Sequence, residues 1–137
     1  MEVLDNIPVR LELDDVVKKL RIRNMNEDFE EIIRELFGMI RPIAKPKAVY
    51  EISQVDNKQG DSLEIGGVRF TSHVLRVNLD KLEVVFPYIV TCGSELDEIE
   101  IPEHELMKCY FLDQIKEVIV RSARSYLNDY IRENHAC

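Results

Sequence analysis

The sequence predicts an α+β domain with one long helix towards its C-terminal end. Three observations lead there. Apolar residues recur at helical spacing over 27–40 and again from about Glu103 to Arg132. Between those stretches, from Ala48 onwards, the period shortens to two and β-branched residues take over. The Gly66–Gly67 pair, flanked by Leu63, Ile65, Val68 and Phe70, carries the signature of a tight β-hairpin. The chain has 137 residues, 45% of them hydrophobic and 32% charged, which supplies a core and excludes a disordered chain. No linker, repeat or low-complexity tract divides it, so residues 1–137 are expected to form one domain.

Asp14 and Asp15 stand ahead of Val16, Val17 and Leu20, acidic residues placed to meet the positive end of a short helix. Asn26 suits an N-cap, with Glu27 and Asp28 behind it. Phe29, Ile32, Ile33, Leu36, Phe37 and Ile40 then form the apolar stripe of helix 27–40. Pro42 and Pro46 end that helix. Ala48–Val55 reads as a strand, 56–61 as a turn, and the Gly66–Gly67 hairpin follows. His73–Leu79 suits a short helix and a strand equally well. Leu82–Thr91 predicts a second apolar strand, buried on both faces for much of its length, with an edge position, bulge or break at Pro87. Cys92–Gly93–Ser94 predicts a sharp turn, with Ser94 as the N-cap of a short acidic helix or turn. Past Pro102 the long helix buries a stripe read as Leu106, Tyr110, Ile115, Val118, Ile119, Ala123, Tyr126, Leu127 and Tyr130. At 1.5 Å per residue it forms a rod of roughly 40 Å or more.

Charge narrows the function classes. With 18 basic against 26 acidic residues the net charge is −8, which repels nucleic acid and anionic membrane at long range. The basic stretch Lys18–Arg23 and the acidic run Glu95–Glu100 read as solvated faces. No apolar run approaches the ~20 residues of a membrane span, and Met1–Arg10 shows no signal-peptide pattern. Three widely spaced cysteines, Cys92, Cys109 and Cys137, suit a reduced, cytoplasmic chain. None forms a close ligand pair with His73, His104 or His135, so no metal site is expected. There is no phosphate-cradling glycine loop and no nucleophile elbow. Ser72 and His73 adjoin, but no third group that would orient a Ser–His pair stands out, so a hydrolase is a distant alternative.

Two features stand above that background. Thr91-Cys92-Gly93 ends a strand in a turn whose backbone N–H groups are expected to point outward, with Gly93 permitting close approach by another molecule. The plainer reading is a strand-to-helix turn. Cys92 is a candidate reactive thiol beside a helix start, opposed by the acidic residues that follow. Asp113, Glu117 and Arg121 share one face of the long helix at i, i+4, i+8; the plainer reading there is a surface salt-bridge ladder.

The strand end PYIVTCG (Pro87–Gly93), the acidic SELDE (Ser94–Glu98) and YFLDQIKE (Tyr110–Glu117) follow one another in a distinctive order. Upstream lie IPVRLELDDVVKKLRIR (Ile7–Arg23) and KPKAVYEISQV (Lys45–Val55). In order and spacing these segments, over most of the chain, resemble the cobalamin-dependent methionine synthase activation domain family. The resemblance implies an α+β fold with a twisted antiparallel sheet flanked by helices, including the long C-terminal one. It implies an activation or reactivation role in a corrinoid methyltransferase system: binding a corrinoid protein or domain that carries the cobalamin, and S-adenosylmethionine for reductive methylation of inactive cob(II)alamin. Thr91, Cys92 and Gly93 would then lie near the ligand cleft, with Asp113 and Glu117 on the neighbouring helix; no catalytic side chain is assigned. The family's R-x-x-P-G-Y-type motif follows the long helix and is missing before Cys137, so the chain reads as a truncated or shortened member. Lys116, Glu117 and Arg121 stand where the family carries small residues and then an acidic one. The alternative is an interaction module that keeps the fold and has lost S-adenosylmethionine binding.

Overall fold

The computed structural model describes residues 1–20 and 27–135. Its elements in chain order are β1 (Glu2–Leu4), α1 (Leu13–Leu20), α2 (Glu27–Ile40), β2 (Lys47–Tyr50), β3 (Ser53–Gln59), β4 (Ser62–Ile65), β5 (Val68–Thr71), α3 (His73–Asn78), β6 (Val84–Val85), β7 (Tyr88–Thr91), a 3-10 turn (Ser94–Glu98) and α4 (Leu106–Asn134). The class is α+β, as expected, but the strands form two sheets, of three strands (β1-β2-β7) and of four (β5-β4-β3-β6). The residues gather into two compact units: a helical unit of Leu4–Ala48 with Val90–Cys137, and a sheet unit of Met1–Val3 with Val49–Ile89. The boundary between them falls inside the strands of the three-stranded sheet. The expected cap Asn26, the basic residues Arg21 and Arg23, and Cys137 lie outside the described residues.

In the helical unit, α1 begins with Asp14 and Asp15 in its first turn and ends on Lys18 and Lys19, matching both ends of its dipole. Val16 and Leu20 of α1, Ile33, Leu36 and Ile40 of α2, and Phe111, Ile115 and Ile119 of α4 meet in one buried cluster. Phe29 stands edge-on to Phe111 at 5.7 Å. The Arg41 guanidinium covers the Phe37 ring at 5.0 Å and donates to the Leu11 carbonyl at 2.9 Å. Three ion pairs tie α4 to separate elements: Lys108 to Glu35 of α2 at 2.8 Å, Lys116 to Asp97 of the 3-10 turn at 3.6 Å, and Glu117 to Lys19 of α1 at 2.8 Å.

α4 is unbroken over 29 residues, a rod of roughly 43 Å. It starts later than expected because Pro102–Glu105 close a turn of their own, Glu105 N–H donating to the Pro102 carbonyl at 3.0 Å. Its buried stripe is also shifted. Phe111, Ile115, Ile119, Ala123 and Leu127 form a strict i+4 row, with Leu112 and Val118 beside it. Tyr110 lies one residue, or 100°, off that row and is half exposed, and Leu106 projects from the first turn with 75% of its surface in solvent.

In the sheet unit, the hairpin β4–β5 pairs Ile65 with Val68 across Gly66 and Gly67, whose φ angles of 57° and 83° are those a type I′ turn demands. The expected strand Ala48–Val55 is instead two strands, parted at Glu51–Ile52 and belonging to different sheets. β3 then runs through most of the expected turn. An irregularity between Asp56 and Gln59, where Asn57 takes a φ of 50°, keeps it paired with β4. His73–Asn78 is helical because Ser72 caps it, its Oγ accepting from Leu75 N–H at 3.2 Å. The apolar stretch Leu82–Thr91 breaks at Phe86–Pro87, yet it is not buried on both faces. β6 and β7 each end their sheet's strand order, so Val84, Tyr88 and Ile89 remain exposed.

Candidate functional site

The expected site begins where β7 ends. Thr91 is exposed, Cys92 half-buried and Gly93 buried. Gly93 has a φ of 96°, open to glycine and costly for any other residue. A Cβ built there would stand 2.6 Å from the Lys45 carbonyl oxygen and 2.6 Å from Glu95 Oε2. The close approach that glycine permits is therefore made by the chain itself. The Gly93 N–H does not point outward to a ligand: it donates to Thr91 Oγ1 at 3.1 Å. Gly93, and not Ser94, holds the cap position of the 3-10 turn, and no side-chain hydrogen bond caps it.

Glu95 locks this bend. Its Oε1 accepts from Lys47 Nζ at 2.6 Å, and Oε2 is buried with no hydrogen-bond partner among the described residues. The Lys47 hydrogen bond is the main cause holding the Glu95 carboxyl below the usual carboxylate range. Cys92 packs against the core of the helical unit. Burial pushes its thiol up, with the Lys116 charge opposing. The helix-start activation considered for Cys92 is outweighed, and its thiolate is scarce at neutral pH.

Across from the bend, α4 carries the other two candidates. Asp113 is exposed, with no ion pair or hydrogen bond among the described residues. Glu117 reaches Lys19 on α1, so its partner is not a rung on its own helix. The Lys19 hydrogen bond, then the Lys19 and Arg121 charges, hold the Glu117 carboxyl low. Lys116, one residue away, bears on the Cys92 thiol and reaches Asp97, so the bend and the middle of α4 are neighbours.

The structure also supplies what the sequence did not. His73 Nδ1 lies 2.9 Å from Asp61 Oδ1, the orienting group absent from the Ser72–His73 reading. Both side chains are largely exposed and Ser72 Oγ is engaged in the cap, so the trio has neither enclosure nor a free nucleophile. A groove of about 660 Å3 runs between α1 and α4, with Val118, Arg121, Ser122 and Tyr126 on one wall and Lys18 and Lys19 on the other. Its walls come from segments a hundred residues apart, which no local motif reveals. Among the described residues no His, Cys, Asp and Glu cluster suits a metal, and no helix is long and apolar enough to cross a membrane. No protein-family profile matches the chain, and no curated protein sequence matches it.

Two outcomes follow. Gly93→Ala combines an unfavourable φ with a backbone clash and should lower unfolding stability by about 2–4 kcal/mol in urea titration. A loss within error would mean the bend tolerates a side chain. Glu95 has a folded pKa below its unfolded value, so its contribution is present above the ordinary carboxylate range and is lost as pH falls through the folded value. Wild-type stability should therefore fall more steeply on acidification than that of Glu95→Gln; parallel curves would contradict the lock.

Proposed function

We propose that the chain is an activation-type accessory domain of a corrinoid methyltransferase system, docking onto a cobalamin-bearing protein and binding S-adenosylmethionine beside it. The observation that carries this reading is an ordered sequence of parts. A strand ends in a tight glycine bend, an acidic 3-10 turn follows, and then comes one unbroken rod. That is the order in which the segments Pro87–Gly93, Ser94–Glu98 and Tyr110–Glu117 resemble the activation-domain family.

The five candidate residues divide in role. Gly93 and Cys92 act from inside, setting the direction in which the chain leaves β7. Thr91 and Asp113 face solvent and are assigned to ligand or partner. Asp113 offers a carboxylate with no partner among the described residues, which fits the ammonium and sulfonium charges of S-adenosylmethionine. Glu117, held by Lys19, keeps α1 against the rod. When bound, S-adenosylmethionine would supply the methyl group, and the cobalt chemistry would belong to the partner.

A second reading is favoured by the burial of Gly93: an interaction module that meets the corrinoid protein and binds no S-adenosylmethionine. Titration calorimetry separates the two, using the cobalamin-loaded domain of a methionine synthase and S-adenosylmethionine as separate titrants. Heat with both supports the activation reading. Heat with the corrinoid domain alone selects the interaction module. No heat with either removes both.

A further inference from the structure

The four-stranded sheet ends on β5, and that edge is bare. Val68 and Phe70 stand opposite Ile65 and Leu63 and share their face of the sheet. Leu63 is buried, yet Val68 and Phe70 remain 58% and 42% exposed. α3 lies against β4 and leaves Val74 and Val77 exposed as well, so four exposed apolar side chains fall within ten residues.

The backbone of β5 is as open as its side chains. The type I′ turn closes on the pair Ile65–Val68, and further along Ser72 N–H donates to the Asp61 carbonyl at 2.8 Å. Bonded and non-bonded pairs alternate along an antiparallel ladder. Val68 and Phe70 therefore turn their N–H and C=O groups towards β4, and Arg69 and Thr71 turn theirs outward. Among the described residues no side chain or loop hydrogen-bonds those outward groups. Exposed edges are commonly guarded by a charge, a proline, a bulge or extreme shortness. The opposite edge, β6, is two residues long, and Lys58 Nζ donates to the carbonyls of Asp80 and Leu82 just ahead of it, at 2.6 and 3.0 Å. β5 has no such guard. Its one charge, Arg69, is drawn inward to Ser62 Oγ at 3.0 Å and Glu64 Oε1 at 3.5 Å, both on β4.

The geometry points to a second copy of this chain as the occupant of the edge: β5 pairs antiparallel with β5 of the second copy, and two four-stranded sheets become one of eight strands. The strand is complementary to itself in one register. With Phe70 on the two-fold axis, Arg69 and Thr71 of one copy face Thr71 and Arg69 of the other, and all four complete hydrogen-bonded pairs. Phe70 meets Phe70 in the non-hydrogen-bonded pair between them, where side chains stand closest. Leu63 and Phe70 of both copies then form one apolar row. Moving the axis to Arg69 would set like charges opposite each other. Moving it to Thr71 would put Arg69 across from His73, already in α3. Charge permits the meeting: the chain carries −8, but no acidic residue lies between Glu64 and Asp80. None of the five residues used in the corrinoid reading belongs to this edge, so the two proposals stand or fall separately.

The test is sedimentation of the full chain over a concentration series, with amide hydrogen exchange measured by NMR at both ends of it. The chain should pass from monomer to dimer, and the amides of Arg69 and Thr71 should slow as it does, while those of Val68 and Phe70 are protected throughout. Thr71→Pro removes an outward donor and no bond to β4, and should weaken the dimer at least about tenfold. Phe70→Lys, at an exposed position, should weaken it as much. Leu106→Lys, on the exposed first turn of α4, should leave it unchanged. The wild-type exchange rates keep the test independent of whether either β5 variant folds. A chain that stays monomeric up to about 1 mM overturns the proposal. So does a dimer indifferent to both β5 variants, one abolished by Leu106→Lys, or one whose Arg69 and Thr71 amides exchange as fast as in the monomer.

Discussion

The i+4 row on α4 is the constraint on which the helical unit depends. Phe111, Ile115, Ile119, Ala123 and Leu127 are each at most 2% exposed. Burying each large side chain of the row contributes roughly 1.5–3 kcal/mol, far more than an exposed ion pair. Lys108, Lys116 and Glu117 thus set the rotation of the rod and its neighbours, while the row supplies the cohesion. A continuous helix is needed because the row climbs it over more than four turns. A break at any point would turn the later members of the row away from their partners.

Gly93 plays the complementary part at the start of that segment. The chain leaves β7 and turns into an acidic 3-10 turn with backbone against backbone, at a separation only glycine permits. Thr91 and Glu95 complete the bend from either side, one taking the Gly93 N–H and the other joining Lys47. The same packing decides what the bend can do chemically. It positions elements and shields a thiol, while Thr91 before it and Asp113 on α4 are exposed.

The helices were legible because their signals are local and redundant. Asp14 and Asp15 mark the start of α1, and the stripe Phe29 to Ile40 defines α2 to the residue at its C-terminal end. Gly66–Gly67 specified its hairpin for the same reason. What failed depends on distant neighbours. That Val84 and Ile89 lie exposed follows from where their strands fall in the sheet order, which alternation cannot encode. That Phe111 and not Tyr110 faces the core follows from the register of α4 against α1 and α2, where both residues are equally apolar candidates. Gly93 was legible as a special position but not as one closed by Lys45, 48 residues away in the chain. The α1–α4 groove was hidden for the same reason: Lys18 and Arg121 meet only through the fold.

Native-state hydrogen exchange across α4 tests the central role of the row most directly. If Phe111–Leu127 forms one cooperative rod, amides along it exchange only through global unfolding, with free energies equal to the stability from denaturant titration. Separate local opening of the segment around Ala123 and Leu127, at a clearly lower free energy than that around Ile115, would contradict it.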